Sequence, residues 1–144
     1  MKKWKLPPKI KVLEATGALA DGRVRFDLDQ FIVLSSDKTT EHKVTFDPEK
    51  NIIISTDRGS RFKGYLGYPS IAVLMLKGRI PFDKRISEAL KGIEWKKLND
   101  ESGDYKVTEA HAKKVAQERG VSPEEIEDFV KSVLAKLGQT SYYG

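Results

Sequence analysis

The 144-residue chain contains no cysteine. This absence excludes a disulfide framework, a thiolate metal site and a cysteine nucleophile, and it fits a reducing compartment, so we expect a cytoplasmic location. Long apolar runs are also missing. The longest, Ile71 to Leu76, is shorter than a signal-peptide core and far below the roughly 18 to 20 residues that span a bilayer. The sequence therefore predicts a protein that is neither secreted nor membrane-spanning.

Amide side chains are also scarce. Asparagine occurs only at positions 51 and 99, and glutamine only at 30, 117 and 139, whereas charged residues make up 33% of the chain. This balance is typical of proteins from hot environments, so we expect a heat-adapted source. The length is that of one ordinary domain, which buries about two thirds of the surface that its unfolded chain exposes.

The first 56 residues change from helical to strand periodicity. Apolar residues between Pro8 and Asp21 recur with helical spacing. Val24, Phe26 and Leu28 then alternate with charged residues, which predicts a strand with these three side chains turned inward. Three more apolar segments, separated by polar turns, follow up to residue 56. The pattern predicts an N-terminal helix and an antiparallel meander of three to four strands within residues 23–56.

The second half of the chain reads as helical. Residues 70–76 are apolar on every side, which predicts a buried central helix that begins near Pro69. Asp83 can cap a following helix. Residues 108–119 and 122–137 form a helical hairpin, whose second helix opens with a capping box of Ser122 and Glu125. The predicted fold class is therefore α+β.

One domain overall is expected, with four parts. Residues 1–99 form the α+β core and residues 100–107, which are polar, form a loop. The helical hairpin, residues 108–138, packs on the core. Residues 139–144 are expected to be a loose tail.

A glycine-rich block lies in the middle third of the chain. The segment Gly64-Tyr-Leu-Gly-Tyr-Pro69 leads into the apolar helix and is followed by Gly78-Arg-Ile-Pro81. This arrangement resembles small conserved proteins of unknown function from archaea. The resemblance implies an archaeal source, and it transfers no catalytic residue to this chain.

Charge is divided unevenly along the chain. Residues 1–99 contain 20 Lys and Arg against 12 Asp and Glu, whereas residues 100–144 contain 6 against 9. Within residues 58–97 there are 10 basic and 3 acidic residues with aromatic residues between them, a mixture that single-stranded nucleic acid binders use for phosphates and bases. The alternative is that the rings fill the core and the charges are solvated. The residues predicted to bind single-stranded RNA or DNA are Arg58, Arg61, Lys63, Tyr65, Tyr68, Lys77, Arg79, Lys84 and Arg85.

The helical hairpin suggests a second function, that of a protein-interaction or assembly module. Ala116, Gly120 and Ile126 have the spacing of a helix-turn-helix, which this segment resembles. Four carboxylates at the start of its second helix would repel DNA, so a packing or protein-contact hairpin is favoured. A homo-oligomer or a protein partner would contact these acidic residues, which are Glu124, Glu125, Glu127 and Asp128.

Catalytic candidates are few, and the sequence favours a protein that is not an enzyme, with no cofactor and no metal. His42 and His111 have no partner at metal-ligand spacing. One arrangement resembles the restriction-endonuclease-like nucleases, although the Pro-Asp pair of that pattern is absent. The resemblance implies that carboxylates hold Mg²⁺ and that a lysine positions the attacking water. The residues of this alternative are Glu14, Asp29, Glu41 and Lys43.

Overall fold

A four-stranded antiparallel sheet and seven helical segments make up the chain, and the computed structural model describes all residues from 1 to 144. The predicted α+β class is confirmed. No helix in the structure has both the length and the apolar character that crossing a membrane requires. The elements are α1 (Lys9–Ala20), β1 (Val24–Asp27), β2 (Gln30–Leu34), β3 (Glu41–Asp47), β4 (Ile52–Ser55), a π-helical turn (Gly59–Lys63), α2 (Tyr68–Leu76), α3 (Lys84–Ala89), α4 (Trp95–Ser102), α5 (Tyr105–Glu118) and α6 (Pro123–Gln139).

The sheet is a simple meander in which each strand pairs with the next, in the order β1-β2-β3-β4. Phe31 pairs with Val44, and Val44 pairs with Ser55. Because side chains alternate along a strand, His42, Val44 and Phe46 share one face of β3. Helix α2 packs on β3 and β4.

Helix α2 lies at the centre of the core, as the all-round apolar segment predicts. Residues 69–75 are buried, and α1 packs directly against them. The same buried cluster includes Trp95 of α4, Ala112 of α5 and Ile126 of α6. The helical hairpin therefore shares one hydrophobic core with the sheet.

Two predicted helix caps are present. The Asp83 side chain accepts a hydrogen bond from the Ile86 N–H at the start of α3. The Ser122 hydroxyl accepts one from the Glu125 N–H, and the Glu125 carboxylate accepts one from the Ser122 N–H. Both caps satisfy N–H groups that a helix leaves unpaired in its first turn.

Strand β1 differs from its prediction. Phe26 is 62% exposed, while Leu28 is 88% exposed and lies in the β1–β2 turn with a φ of 58°. The prediction that both face the core is wrong, because β1 is a four-residue edge strand that lies beyond the reach of α2. Arg23 is buried instead, where it donates to the Leu34 carbonyl and pairs with Asp21.

The 100–107 segment is also different from its prediction. Helix α4 continues to Ser102 and α5 begins at Tyr105, so only Gly103 and Asp104 interrupt the helices. The polar residues of this segment form the solvent side of helices whose other side packs through Trp95 and Thr108. The sequence predicts a loop here because residues 100–107 are polar, and the buried residues that reveal the helices lie outside this segment.

The C-terminal segment is not a loose tail. Tyr142 is 3% exposed, and the Trp4 N–H donates to its carbonyl over 2.9 Å. The Tyr143 carbonyl accepts from the Ile53 N–H, and the Tyr143 N–H donates to the Asn51 carbonyl. The segment is ordered because its backbone pairs with the free edge of β4. This strand is distant from the segment in sequence.

We expect Tyr142→Ala to lower the free energy of unfolding by about 3 kcal/mol, as truncation of a buried aromatic side chain does. Tyr143→Ala is the matched control, because its ring is exposed and its edge contacts are made by the backbone, so its loss should stay below about 1 kcal/mol. Urea denaturation of the three proteins measures both values. Equal small losses would show that the segment does not contribute to the core.

Candidate functional site

A polar cleft of about 870 Å³ opens between the helical and the sheet parts of the molecule. Ligand sites in proteins have volumes of roughly 300 to 1,000 Å³. The lining comes from α1, the β2–β3 turn, β3, the π-helical turn, the start of α2, α4 and the first residue of α5. The charged, amide and aromatic residues of the lining include Lys11, Glu14, Arg23, Glu41, His42, Asp57, Arg58, Arg61, Phe62, Lys63, Tyr65, Tyr68, Lys96, Asn99, Asp100 and Tyr105.

The rim of the cleft is formed by the π-helical turn, Gly59–Lys63. Arg58, Arg61 and Lys63 are exposed, and their side chains form no ion pair or hydrogen bond within the chain. The Phe62 ring, which stands between two of these cations in sequence, is 73% exposed. Three free positive charges and one solvated aromatic ring therefore lie on a single turn.

Asp57 holds this turn in place from below. Its buried carboxylate accepts hydrogen bonds from the Ser55 hydroxyl, from the Ser60 hydroxyl over 2.8 Å and from the Ser60 N–H over 3.1 Å. A Cβ atom at Gly67 would lie 1.9 Å from Asp57 Oδ2. Glycine is therefore required at position 67, because only hydrogen fits between the backbone and the carboxylate.

The second close approach in this block joins Gly59 to Tyr65. A Cβ atom at Gly59 would lie 2.5 Å from the Tyr65 ring. Gly64 ends the turn with a φ of 73°, a conformation that favours glycine. The glycines of this part of the chain thus fix how the rim meets the start of α2.

The inner wall contains a buried ion pair from one turn of α1. Lys11 Nζ lies 2.9 Å from Glu14 Oε2, and Glu14 is 5% exposed. Burial raises the pKa of Glu14, and the Lys11 charge offsets only part of that rise. Burial by itself would lower the pKa of Lys11, but the Glu14 carboxylate outweighs it and the pKa is raised.

Asn99 of α4 completes the inner wall. The Asn99 Nδ2 atom lies 3.5 Å from Glu14 Oε1. This contact fixes the orientation of the amide, because the carboxylate would repel Oδ1 in the flipped orientation. Asn99 Oδ1 is buried and accepts no hydrogen bond, and buried Glu14 Oε2 has the Lys11 ammonium as its one partner. An unsatisfied amide oxygen and a carboxylate with unused lone pairs therefore belong to neighbouring side chains at the inner end of the cleft.

Aromatic side chains form the remaining walls. The rings of His42 and Tyr68 meet edge to face, with centroids 5.6 Å apart. Burial lowers the pKa of His42, raises the pKa of Tyr68 and raises the pKa of Tyr65 to about 12. Lys11 Nζ lies 4.9 Å from the centre of the Tyr105 ring. The walls at His42, Tyr65 and Tyr68 are flat and are neutral near pH 7.

The predicted nucleic-acid residues divide into two groups. Arg58, Arg61, Lys63, Tyr65 and Tyr68 line the cleft. Four others lie outside it, and two of these have partners: Arg79 with Asn51 and Pro48, and Arg85 with Glu125 and Gly120. The four residues outside the cleft are Lys77, Arg79, Lys84 and Arg85.

The residues of the nuclease alternative are also separated. Glu14 and Glu41 line the cleft, but Glu41 is exposed and pairs with Arg25 over 3.4 Å. Asp29 lies in the β1–β2 turn, and Lys43 lies on β3 outside the lining. No group of three or more His, Asp or Glu side chains is close enough to hold a metal ion.

The acidic residues of α6 are partly occupied within the chain. Glu125 bonds to Arg85 and to the Ser122 N–H, which lowers the pKa of Glu125 to about 2. Glu127 bonds to Lys113 and Lys9. Glu124 and Asp128 form no ion pair.

Sequence reasoning missed Lys11, Phe62, Asn99 and Tyr105 of the cleft. One signal was available, because Lys11 and Glu14 are charged residues within a helix that is otherwise almost wholly apolar on its buried side. Such residues are buried only when they are paired or functional. Asn99 and Tyr105 carry no comparable signal, since Tyr105 lies within the predicted loop, residues 100–107, and Asn99 directly precedes it.

A family model described as uncharacterised conserved protein UCP014422 matches residues 4–143. No curated protein and no solved structure matches the chain. The match covers both the cleft and the core that supports it.

We expect Gly67→Ala to lower the free energy of unfolding by at least about 2 kcal/mol, because the new methyl group overlaps Asp57 and breaks its buried hydrogen bonds. Gly138→Ala is the control, since a Cβ atom there meets nothing within 4 Å. That helical substitution should stabilise the protein by roughly 0.5 to 1 kcal/mol. Thermal and urea unfolding measure both changes, and an unaffected Gly67→Ala protein would contradict the packing described.

We expect His42 to titrate below its ordinary pKa of 6.5, which NMR of the ring protons measures. Because the folded-state pKa is lowered, the stability that neutral His42 contributes is complete above pH 6.5 and is lost as the pH falls through the folded-state value. This part of the pH dependence should be absent from His42→Gln. A titration at or above 6.5 would be inconsistent with a half-buried ring.

Proposed function

Since the chain belongs to the uncharacterised conserved family UCP014422, membership brings no activity with it, and we propose that the protein binds single-stranded RNA or DNA in the cleft without catalysis. The observation that carries this proposal is the exposed Phe62 ring beside the free charges of Arg61 and Lys63. In this arrangement phosphates contact the cations and a base stacks on the ring.

The charge of the cleft supports an anionic ligand. Six cations and four carboxylates line it. Three of the cations already have partners, since Lys11 pairs with Glu14, Arg23 with Asp21 and Lys96 with Asp37. The free cations are all on the rim, where binding of phosphates would release condensed counterions.

The aromatic residues support a single strand over a duplex. Phe62 on the rim is exposed, and Tyr105 at the start of α5 is 42% exposed. A base has to leave its stack before its flat face can contact a ring in a cleft. Tyr65 and Tyr68 are half-buried, so their role is to wall the cleft, and Phe62 and Tyr105 are the rings on which bases stack.

A protein partner is the second candidate. Glu124 and Asp128 on α6 are free of internal ion pairs, and Phe26 and Leu28 expose apolar surface on the β1–β2 hairpin. Such exposed groups are typical of contact surfaces. The Mg²⁺-dependent nuclease has less support, because only Glu14 and Glu41 of its residues reach the cleft.

The source and location of the protein are inferred from composition. The absence of cysteine supports a cytoplasmic location, and the scarcity of amide residues supports a heat-adapted source. The glycine-rich block supports an archaeal origin.

We expect the combined substitution of Arg58, Arg61 and Lys63 by alanine to weaken binding of a fluorescent single-stranded oligonucleotide of any sequence. The log–log slope of affinity against salt should become shallower by about 2, or about 0.7 for each lost phosphate contact. Phe62→Ala should cost about 1 to 3 kcal/mol of binding free energy with little change in slope. Fluorescence anisotropy at several salt concentrations measures both effects.

The matched control replaces Lys77, Lys84 and Lys91 with alanine, which removes the same charge from exposed positions outside the cleft. Its effect should be much smaller. Equal effects of the two triple variants would mean that overall charge, and not the cleft, attracts the strand. An absence of binding at about 50 mM salt, where such contacts are strong, would refute the proposal.

A further inference from the structure

The inner end of the cleft has a hydrogen-bonding capacity that the protein itself leaves unused. Asn99 Oδ1 is a buried acceptor without a donor, and the neighbouring Glu14 carboxylate, which is 95% buried, has only the Lys11 ammonium and Asn99 Nδ2 as partners. Folded proteins rarely leave buried acceptors unsatisfied, because the lost hydrogen bonds to water destabilise the fold. A ligand that presents N–H donors at this point would satisfy Asn99 Oδ1 and occupy the lone pairs that Glu14 has left.

The surroundings restrict which donor can enter. The free cations of the rim repel amines and guanidinium groups and favour a ligand with negative charge. The walls at Tyr68 and Tyr105 are flat aromatic rings, which favour a flat ring system. A nucleotide meets these requirements, because it joins a flat ring with neutral N–H donors to a negatively charged phosphate.

The bases differ in the number of adjacent donors that they offer. Guanine presents N1–H and the N2 amino group next to each other, whereas adenine and cytosine offer one amino group, and uracil and thymine offer one imino group. We propose, in an inference that rests on the proposed function, that Glu14 and Asn99 form a base-selective pocket. The base that it selects is guanine. One of the two side chains accepts a hydrogen bond from N1–H, and the other accepts one from the N2 amino group.

The ion pair with Lys11 is compatible with this role. A carboxylate offers about four lone-pair sites, so the ammonium group and a base can share it. The two acceptors are closed off from solvent in the free protein, and the Lys11 ammonium lies between Glu14 and the Tyr105 ring. Guanine therefore reaches them when the Tyr105 ring rotates aside and the Lys11 ammonium shifts along the Glu14 carboxylate, which the exposed position of Tyr105 at the start of α5 allows.

The experiment compares four RNA pentanucleotides that differ only at the central base, which is guanine, hypoxanthine, adenine or uracil, between uracils. Guanine should bind roughly tenfold more tightly than the others. Hypoxanthine keeps N1–H and lacks only the N2 amino group, so it should lose most of that advantage. This comparison uses the unmodified protein and does not depend on whether a variant folds.

Glu14→Gln should abolish the preference for guanine while keeping the salt-dependent binding of all four strands. Glu41→Gln is the control, because Glu41 lines the same cleft but is exposed and pairs with Arg25. It should leave the preference unchanged. If the unpaired Lys11 prevents Glu14→Gln from folding, Asn99→Ala removes the second acceptor and should reduce the preference severalfold.

Equal binding of the four strands would overturn the guanine pocket and leave the proposed function intact. If no strand binds at about 50 mM salt, the proposed function fails, and titration of free guanosine monophosphate decides the pocket. If guanosine monophosphate binds, and its binding is weakened when hypoxanthine replaces the guanine or in the Glu14→Gln protein, the pocket is supported without the proposed function. No binding of the nucleotide would overturn the pocket as well.

Discussion

The buried carboxylate of Asp57 is the interaction on which the candidate site depends. It joins three consecutive parts of the chain, since Ser55 ends β4, Ser60 lies in the π-helical turn and Gly67 precedes α2. The hydroxyl and N–H donors replace the water that the carboxylate loses on burial. Because the turn is anchored from inside, its cations can face solvent without partners, and the rim is preorganised for a ligand.

The opposite side of the cleft follows from a compromise within α1. This helix is buried along most of its length, as expected of an element that packs against α2, α3, α5 and α6. Lys11 and Glu14 interrupt its apolar surface where the cleft reaches the helix. A buried ion pair adds little net stability compared with well-packed apolar side chains. Packing alone therefore does not explain its presence there.

Local patterns predicted the elements well, but not how they meet. The meander, the central helix and the Ser122 cap depend on neighbouring residues, so alternation and spacing were sufficient. Phe26 was placed in the core because alternation identifies the side of a strand, whereas burial also requires a helix above it. The cleft joins Lys11 to Asn99 and Tyr105, residues that are far apart in sequence. The structure brings Arg58, Arg61 and Lys63 together because they lie within six residues of one another. It does not bring Arg79 and Arg85 to the cleft, because α2 carries the chain away.

The pairing of Tyr143 with β4 limits how the sheet could take part in assembly. An open sheet has two edges, and each is a template for another chain. Here the C-terminal segment occupies the β4 edge, so β1 remains as the one edge available to a partner strand. Two copies that joined through β1 would each present a covered edge on the far side. Growth by sheet extension therefore ends at a closed, twofold pair and cannot continue into a fibre.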